Sequence, residues 1–276
     1  MGKTLVTVVT ICLNAEKYIN KTICSVLNQN YQEIEYIVVD GVSSDNTLNI
    51  IKKYGKNIKW ISEFDNGISD AMNKGLKNSM GDLIIYLNAG DVFNDNDVIA
   101  NIVKSYENNK WDWAIGSTKL VDGDYKEIGI HKISNYNENN LRIVNFICHQ
   151  SSVVRTELLK ELGGFSNKYK IAMDYDLWFK LDKYSDAFIL HFLISKYLIG
   201  GVSNNPSKAY KEFKVVRKEN LKRNFLEYCY EETKAFMWFL LSDFKITTYT
   251  IKFIPKRIKY ILRTIKNRLI IPKTYK

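Results

Sequence analysis

The sequence predicts an α/β fold, in which a mostly parallel sheet carries helices on both faces and a helical, basic C-terminal extension follows. Three observations lead to this prediction. Short apolar runs alternate with segments of helical spacing through residues 5–109. Most of these runs end abruptly in a polar or acidic residue, as buried strands do at the edge of a sheet. From residue 206 onward, the spacing is helical and basic residues predominate.

The first half of the chain predicts four strands that alternate with four helices. Runs rich in β-branched residues predict strands over 5–13, 34–39, 58–62 and 83–87. Apolar residues at helical spacing predict helices over 16–28, 45–54, 68–79 and 95–109. Strands separated by helices pair in parallel, because each crossover returns the chain to the same edge of the sheet.

The second half departs from this order. Two strands, 111–120 and 125–131, flank the turn Asp122-Gly123-Asp124. Further strands are predicted over 151–154 and 187–199, and further helices over 156–162 and 172–184. The sequence therefore predicts two domains, residues 1–205 and the helical extension 206–276.

Charge is distributed unevenly along the chain. The 276 residues carry a formal net charge of +10. Residues 207–276 hold 18 Lys and Arg against 6 Asp and Glu, whereas residues 1–206 hold 22 against 24. Because the body is not basic, a nucleic-acid-binding core is not expected. The four cysteines form no CxxC pair, and no apolar run reaches the roughly 18–20 residues of a membrane span.

Asp91 is the most informative single residue. It follows the apolar run 83–87 in the small turn Asn88-Ala89-Gly90. A strand-end carboxylate can hold a hard cation such as Mg²⁺ or Mn²⁺ beside a phosphate, or it can cap the next helix. Asp40 and Asp65 also follow predicted strands, and three carboxylates at one edge favour a cation or a polar nucleotide between them. The alternative is that each is solvated in its own loop.

Several common catalytic motifs are missing from the sequence. It contains no GxxxxGK[ST] loop and no GxGxxG, so a bound phosphate would need metal neutralisation rather than a glycine-rich cradle. There is no GxSxG elbow, and the three histidines lack metal-ligand spacing.

A second acidic pair, Asp174 and Asp176, opens the predicted helix 172–184. Residues two apart point to different sides of a helix, so only one of them can face a cleft directly. The helix dipole favours the ionised form there, which suits a general base. The alternative is a helix-terminal acid with no chemical role.

Taken together, these segments resemble an inverting family 2 glycosyltransferase with a GT-A fold. The likeness covers about residues 4–204. Its motifs are the strand 8–14, the VDDGSxDxT-like segment 38–47, the DxGxxDAxNxG-like segment 63–75, the DxD position 88–91, acceptor-side signatures at 149–151 and 163–165, the ED-like motif 173–177, and the loop 200–203 that follows the catalytic domain.

The resemblance implies a nucleotide-diphosphate sugar as donor, most simply a UDP-hexose or a UDP-N-acetylhexosamine. The residues that it implies for donor binding are Thr10, Asn14, Asp40, Asp65, Asn73, Asn88 and Asp91. It also implies that Asp91 holds Mg²⁺ or Mn²⁺, that Asp174 is the catalytic base, and that His149 and Gln150 lie on the acceptor side.

Two positions depart from the family pattern. Gly41 stands where the second Asp of the nucleotide motif is expected, and Asn88 stands where a first DxD acid often lies. Metal affinity is therefore expected to rest on Asp91 together with the diphosphate oxygens.

Residues 252–271 interleave Ile and Leu with Lys and Arg at helical spacing. A cationic amphipathic helix of this kind is suited to an anionic bilayer surface. The alternative is a helix packed on the body with a solvated basic face. Members of the resembled family act on glycan or lipid-linked acceptors in the synthesis of bacterial surface polysaccharides such as O-antigen and capsule, which places this chain in the cytoplasm, peripheral on the inner face of the plasma membrane.

Two other functions compete with glycosyl transfer. A nucleotidyltransferase would use a similar sheet, but it would be expected to carry a Gly-rich, basic loop after the first strand, where this chain has Asn14-Ala15-Glu16-Lys17. A noncatalytic nucleotide-sugar-binding module would have no need of Asp174.

Overall fold

The computed structural model describes residues 2–133, 138–200 and 206–248. The predicted amphipathic tail 252–271 lies outside this part of the chain, as do the last three residues of the predicted loop 200–203. The chain divides into two compact units, one formed by residues 1–137 with 147–202, and the other by residues 138–146 with 203–276.

The first unit contains nine strands and six of the helices described here, and the other three helices belong to the second unit. The strands are β1 Val6–Cys12, β2 Ile34–Asp40, β3 Lys59–Ser62, β4 Leu83–Tyr86, β5 Val92–Phe93, β6 Trp113–Val121, β7 Glu127–His131, β8 Ser152–Arg155 and β9 Phe188–Leu198. The helices are α1 Ile19–Leu27, α2 Thr47–Lys52, α3 Ile68–Lys77, α4 Val98–Asn109, α5 Glu138–Leu141, α6 Thr156–Glu161, α7 Met173–Tyr184, α8 Pro206–Asn220 and α9 Phe225–Thr248. Short 3-10 turns lie at Gly55–Asn57 and His149–Ser151.

The strands form one sheet in the order β3-β2-β1-β4-β8-β6-β9-β5, with β7 paired to β6. The half formed by β3, β2, β1 and β4 is entirely parallel, as the alternation of strands and helices predicts. Beyond β4 the pairing is mixed, because β8 runs antiparallel to both β4 and β6, whereas β9 runs parallel to β6. The predicted α/β class is confirmed, and the complete sheet is mixed rather than mostly parallel.

Helices cover both faces of the sheet, as predicted. Val6 and Val8 of β1 belong to a core that includes Ile23 of α1 and Ile102 of α4. On the opposite face, Val9 of β1 packs so closely on α3 that a Cβ at Gly75 would overlap its side chain. Such burial stabilises each apolar side chain by about 1.5–3 kcal/mol.

Aromatic packing holds α7 against the second half of the sheet. Trp113 of β6 stacks on Trp178 of α7 with ring centroids 6.0 Å apart and an interplanar angle of 5°. Both rings are buried. This stack fixes the helix whose first turn carries Asp174.

The second unit is built around a buried cluster of ion pairs. Arg217 of α8, only 1% exposed, donates from Nε and Nη2 to the two carboxylate oxygens of Glu232 in α9, at 3.0 and 2.8 Å. Arg223 lies 3.3 Å from Glu231 and 3.2 Å from Glu232. Arg142, from the segment 138–146, donates to Glu231 at 2.6 Å. Opposite charges are thereby paired within hydrogen-bonding distance, as buried charges require.

None of the helices in the described ranges is both long enough and apolar enough to cross a membrane.

Candidate active site

Several of the predicted site residues, among them Asn14, Asp40 and Asn88, lie at or just beyond the carboxyl ends of the parallel strands. The loop after β2 is bonded to β1 by a hydrogen bond from Gly41 N to Cys12 O, 2.9 Å long. The loop after β4 is bonded to the same strand by a hydrogen bond from Ala89 N to Ile11 O, 3.1 Å long. The two loops therefore leave the sheet on either side of β1, at the edge where open α/β sheets bind ligands.

Asp40 organises the loop that follows β2. Its carboxylate is fully buried and accepts hydrogen bonds from the hydroxyls of Ser43 and Ser62 and from Ser43 N. Asn14 steadies the other end of this loop, since its side-chain oxygen accepts from Ser44 N at 2.8 Å. The predicted contacts of Asp40 and Asn14 with a nucleotide stay predictions, and the structure adds that both shape the loop.

The side chain of Asp65 lies directly against Gly41. A Cβ at position 41 would collide with Oδ2 of Asp65, so the carboxylate fills the place of a side chain at this position. Gly67 N donates to Asp65 Oδ1 at 2.9 Å and fixes the acid there. Gly41 replaces the acid expected at this position, and the carboxylate of Asp65 lies beside it instead.

Three exposed apolar side chains lie in the loops beside this pair: Leu13, Val42 and Phe64. Val42 has a φ of 63°, which is a strained conformation for a β-branched residue, and Phe64 is 75% exposed. The predicted site omits these residues. Their signal in the sequence is positional, since each is an apolar residue one or two positions after the end of a strand and outside any periodic pattern.

Asp91 is bonded to a strand that is distant from it in the sequence. Its Oδ1 accepts a hydrogen bond from Leu198 N of β9 at 3.0 Å, and the side chain is only 4% exposed. The alternative role of Asp91 as a helix cap is thereby excluded, because its carboxylate is directed to β9 and not to α4. Burial raises the pKa of Asp91 to about 8.

Tyr125 braces the turn that carries Asp91. Its hydroxyl donates to Gly90 O at 2.8 Å, and Lys21 Nζ lies 3.3 Å from its ring centroid. Tyr125 comes from the β6–β7 turn and has a φ of 63°. A tyrosine after Asp122-Gly123-Asp124 looks like an ordinary turn residue in the sequence, so the sequence predicts no role for it at the site.

His149 lies between the DxD-like turn and α7. Its Nε2 lies 3.1 Å from Asn88 Nδ2, and its Nδ1 lies 4.0 Å from Asp174 Oδ2. Burial lowers the pKa of His149 to about 4, so the ring is neutral near pH 7. Asp176 instead pairs with Lys180 at 3.0 Å. Of the two acids that open α7, Asp174 is therefore the one beside the strand-end residues.

The residues around Asp91 fit a cation that a diphosphate would share. No group of three His, Cys, Asp or Glu in the described ranges could hold a metal ion by itself. The buried carboxylate of Asp91 has no basic partner in the described part of the chain, so a cation would satisfy it. Mg²⁺ commonly binds one or two carboxylates and completes its shell with water and substrate phosphates.

Asn88 retains one unused polar atom. Its Oδ1 is buried and accepts no hydrogen bond from any residue of the described ranges, while its Nδ2 faces His149. A carbonyl oxygen in this position suits a hydroxyl donor, such as a ribose or sugar hydroxyl.

Three other predicted residues have structural contacts of their own. Thr10 is fully buried and donates to Leu87 O at 2.7 Å, inside the sheet rather than at its edge. Asn73 pairs with both backbone groups of Phe165, at 2.8 and 2.9 Å, and so joins α3 to the turn after α6. Gln150 is buried in the 3-10 turn before β8. Their predicted ligand contacts stay predictions.

Comparisons with known proteins give matches to a family model and to individual proteins. The sequence model for glycosyl transferase family 2 matches residues 7–163. An uncharacterized glycosyltransferase of Rickettsia felis (strain ATCC VR-1525 / URRWXCal2) is 29% identical over 188 residues, which are 64% of this chain. The match spans 31% of that relative's own length.

Two solved structures share the fold. S. aureus TarS 1-349 in complex with UDP-GlcNAc has a TM-score of 0.65 at 19% identity, over 87% of this chain and 73% of that one. The mannosyltransferase PcManGT from Pyrobaculum calidifontis, in complex with GDP-Man and Mn²⁺, has a TM-score of 0.61 at 16% identity, over 98% and 82%.

Proposed function

This chain belongs to glycosyl transferase family 2 and has the GT-A fold, and from that premise we propose that it moves a sugar from a nucleotide-diphosphate sugar to a hydroxyl of its acceptor with inversion at the anomeric carbon. The observation that carries the proposal is the position of Asp174, which reaches the turn of Asn88 and Asp91 through His149. A candidate base and a candidate diphosphate site thus lie at one edge of the sheet.

The nucleotide is proposed to bind over the loops after β2 and β3. Thr10 and Asp40 would contact the base and Asp65 the base or ribose, and Asn14 and Asn73 are proposed to belong to the same donor site. A uridine diphosphate linked to a hexose or an N-acetylhexosamine is the proposed donor. TarS was crystallised with UDP-GlcNAc and PcManGT with GDP-Man, so both nucleotides belong in a test.

The diphosphate is proposed to lie at Asp91 and Asn88. Asp91 would hold Mg²⁺ or Mn²⁺, which would neutralise the charge of the departing nucleotide diphosphate. The burial of Asp91 without a basic partner in the described ranges supports this assignment. PcManGT was crystallised with Mn²⁺.

Asp174 is proposed as the general base. Its carboxylate would take the proton of an acceptor hydroxyl, whose oxygen attacks the anomeric carbon from the face opposite the nucleotide. The bond between the anomeric carbon and the diphosphate oxygen breaks, and the nucleotide diphosphate leaves with that electron pair. The half-buried position of Asp174 beside His149 keeps the carboxylate partly dry, as an effective base requires.

Replacement of Asp174 by Asn tests the proposal. The wild-type chain is incubated with UDP-glucose, UDP-N-acetylglucosamine and GDP-mannose in the presence of Mn²⁺, and released nucleotide is measured. With the donor that turns over, Asp174→Asn is expected to reduce the rate by about 10²–10⁴-fold while calorimetry shows the same nucleotide affinity. The matched control is Asp186→Asn, an exposed acid beyond the other end of α7.

The outcomes separate the candidate functions. Unchanged turnover in Asp174→Asn would exclude it as the base. Nucleotide binding without release from any donor would favour a noncatalytic module, and release of pyrophosphate from a nucleoside triphosphate would favour a nucleotidyltransferase.

The acceptor is proposed to be a glycan or a lipid-linked saccharide in the synthesis of a bacterial surface polysaccharide. The basic, amphipathic sequence of residues 252–271 supports a peripheral position at the anionic inner face of the plasma membrane. A membrane position would bring the donor site close to a lipid-linked acceptor.

A further inference from the structure

His149 connects the two halves of the proposed site. One ring nitrogen faces Asn88 at 3.1 Å and the other faces Asp174 at 4.0 Å. Its side chain is 21% exposed and that of Asp174 is 15% exposed, so both groups are largely shielded from solvent. The residue comes from the 3-10 turn His149–Ser151.

The partners of the ring determine where its proton lies. A neutral imidazole has one N–H donor and one acceptor nitrogen. Asn88 presents its Nδ2 group, which only donates, so Nε2 of His149 accepts. The proton is then on Nδ1, the nitrogen that lies 4.0 Å from Oδ2 of Asp174.

We infer that His149 is a positioning residue that holds Asp174 ionised and oriented through Nδ1–H, while Nε2 ties the ring to Asn88 at the donor site. The inference rests on the proposed function for its kinetic meaning. The 4.0 Å separation is longer than a hydrogen bond, and such contacts in unliganded enzymes commonly shorten when substrate binds. A donor hydroxyl bound by Oδ1 of Asn88 would fix the amide and, through it, the ring.

Other charged and titratable groups lie near this contact. Cys148 lies close enough to both Asp174 and Asp91 that each contributes to raising its thiol pKa, after burial. On α7 itself, Asp176 is paired with Lys180.

Histidine NMR tests the tautomer directly. The full chain has three histidines, so the ring signals of His149 are those lost in His149→Gln. At pH 7 the expected result is a protonated Nδ1, an unprotonated Nε2, and an Nδ1 signal that shifts in Asp174→Asn but not in Asp186→Asn. A protonated Nε2, or an Nδ1 signal indifferent to Asp174→Asn, would overturn the inference even if no donor were turned over.

Two matched variants assign the kinetic effect to one nitrogen. His149→Asn keeps a donor near the position of Nδ1, whereas His149→Gln keeps a polar group near Nε2. With the donor that the wild type turns over, His149→Gln is expected to lower kcat roughly tenfold, and His149→Asn to lower it less, because only His149→Asn keeps a donor near Asp174.

The pH profile separates positioning from simple structural support. Without the N–H the ionised form of the base is less favoured, so the acid limb of kcat should move to higher pH in His149→Gln and should move less in His149→Asn. Equal kcat and equal acid limbs in both variants would overturn the inference while leaving the transferase proposal intact. Failure of the wild type to release nucleotide from any donor would instead remove the transferase proposal.

Discussion

Replacing Asp91 by Asn should stabilise the metal-free protein, and increasingly so as the pH rises. The carboxyl group is buried, and its only hydrogen-bond donor in the described ranges is Leu198 N. Burial raises its pKa from the ordinary value of 3.8 to about 8, so the folded chain keeps a proton that the unfolded chain has lost. Asn fills the same volume without a charge and therefore lacks this dependence on pH.

The sign and size follow from proton linkage. Between about pH 4 and pH 8 the folded state binds more protons at Asp91 than the unfolded state does. Its contribution to stability is complete below about pH 4, falls by about 1.4 kcal/mol per pH unit across this window, and is lost above it. From pH 5 to pH 7 the free energy of unfolding of Asp91→Asn should therefore gain about 2.7 kcal/mol over that of the wild type.

Urea unfolding at pH 5, 6 and 7 measures this difference. Tryptophan fluorescence is a suitable signal, because Trp111, Trp113 and Trp178 are buried in the first unit. The measurement is made in EDTA and then repeated with Mn²⁺ and UDP, which should stabilise the wild type at pH 7 more than they stabilise Asp91→Asn. Parallel pH dependence of the two proteins would refute the assignment of a raised pKa to Asp91.

Two other predictions concern the nucleotide loop and the tail. Gly41→Ala should push the Asp65 carboxylate aside and weaken UDP binding by roughly 10–100-fold in calorimetry, with little change in melting temperature, because the displaced atom is the end of a flexible side chain. Gly123→Ala, in open space at a turn, is the control, and equal losses in both variants would count against the prediction. The full chain should float with phosphatidylglycerol vesicles at low salt and a chain ended at residue 251 should not, and equal flotation of both would contradict a role for 252–271.

The sequence is sufficient for features that depend on neighbouring residues. The strand-end positions of Asp40 and Asp91 follow from the apolar runs before them, and the structure places both at the predicted edge. Helical spacing separates Asp174 from Asp176, and the structure places them beside different partners.

Contacts between residues far apart in the sequence cannot be predicted from local hydrophobic patterns. Leu198 closes on Asp91 across 107 residues, and β5 is only two residues long, too short to show any periodicity. The amide of Asn73 meets the backbone of Phe165 across 92 residues. Such contacts arise from packing of the whole sheet, and they decide which polar groups remain available for a ligand.

The ion cluster of the second unit has a consequence for the order in which the chain becomes structured. Arg142 and Ile143 are made early, but their partners Glu231 and Arg217 follow 89 and 74 residues later. Domains form as synthesis proceeds from the N-terminus. Segment 138–146 therefore cannot make these contacts until α8 and α9 have been synthesised, and the charge of Arg142 stays solvated until then. A boundary drawn at residue 205 would cut through this arrangement, since it would leave Arg142 on one side and the acid that neutralises it on the other.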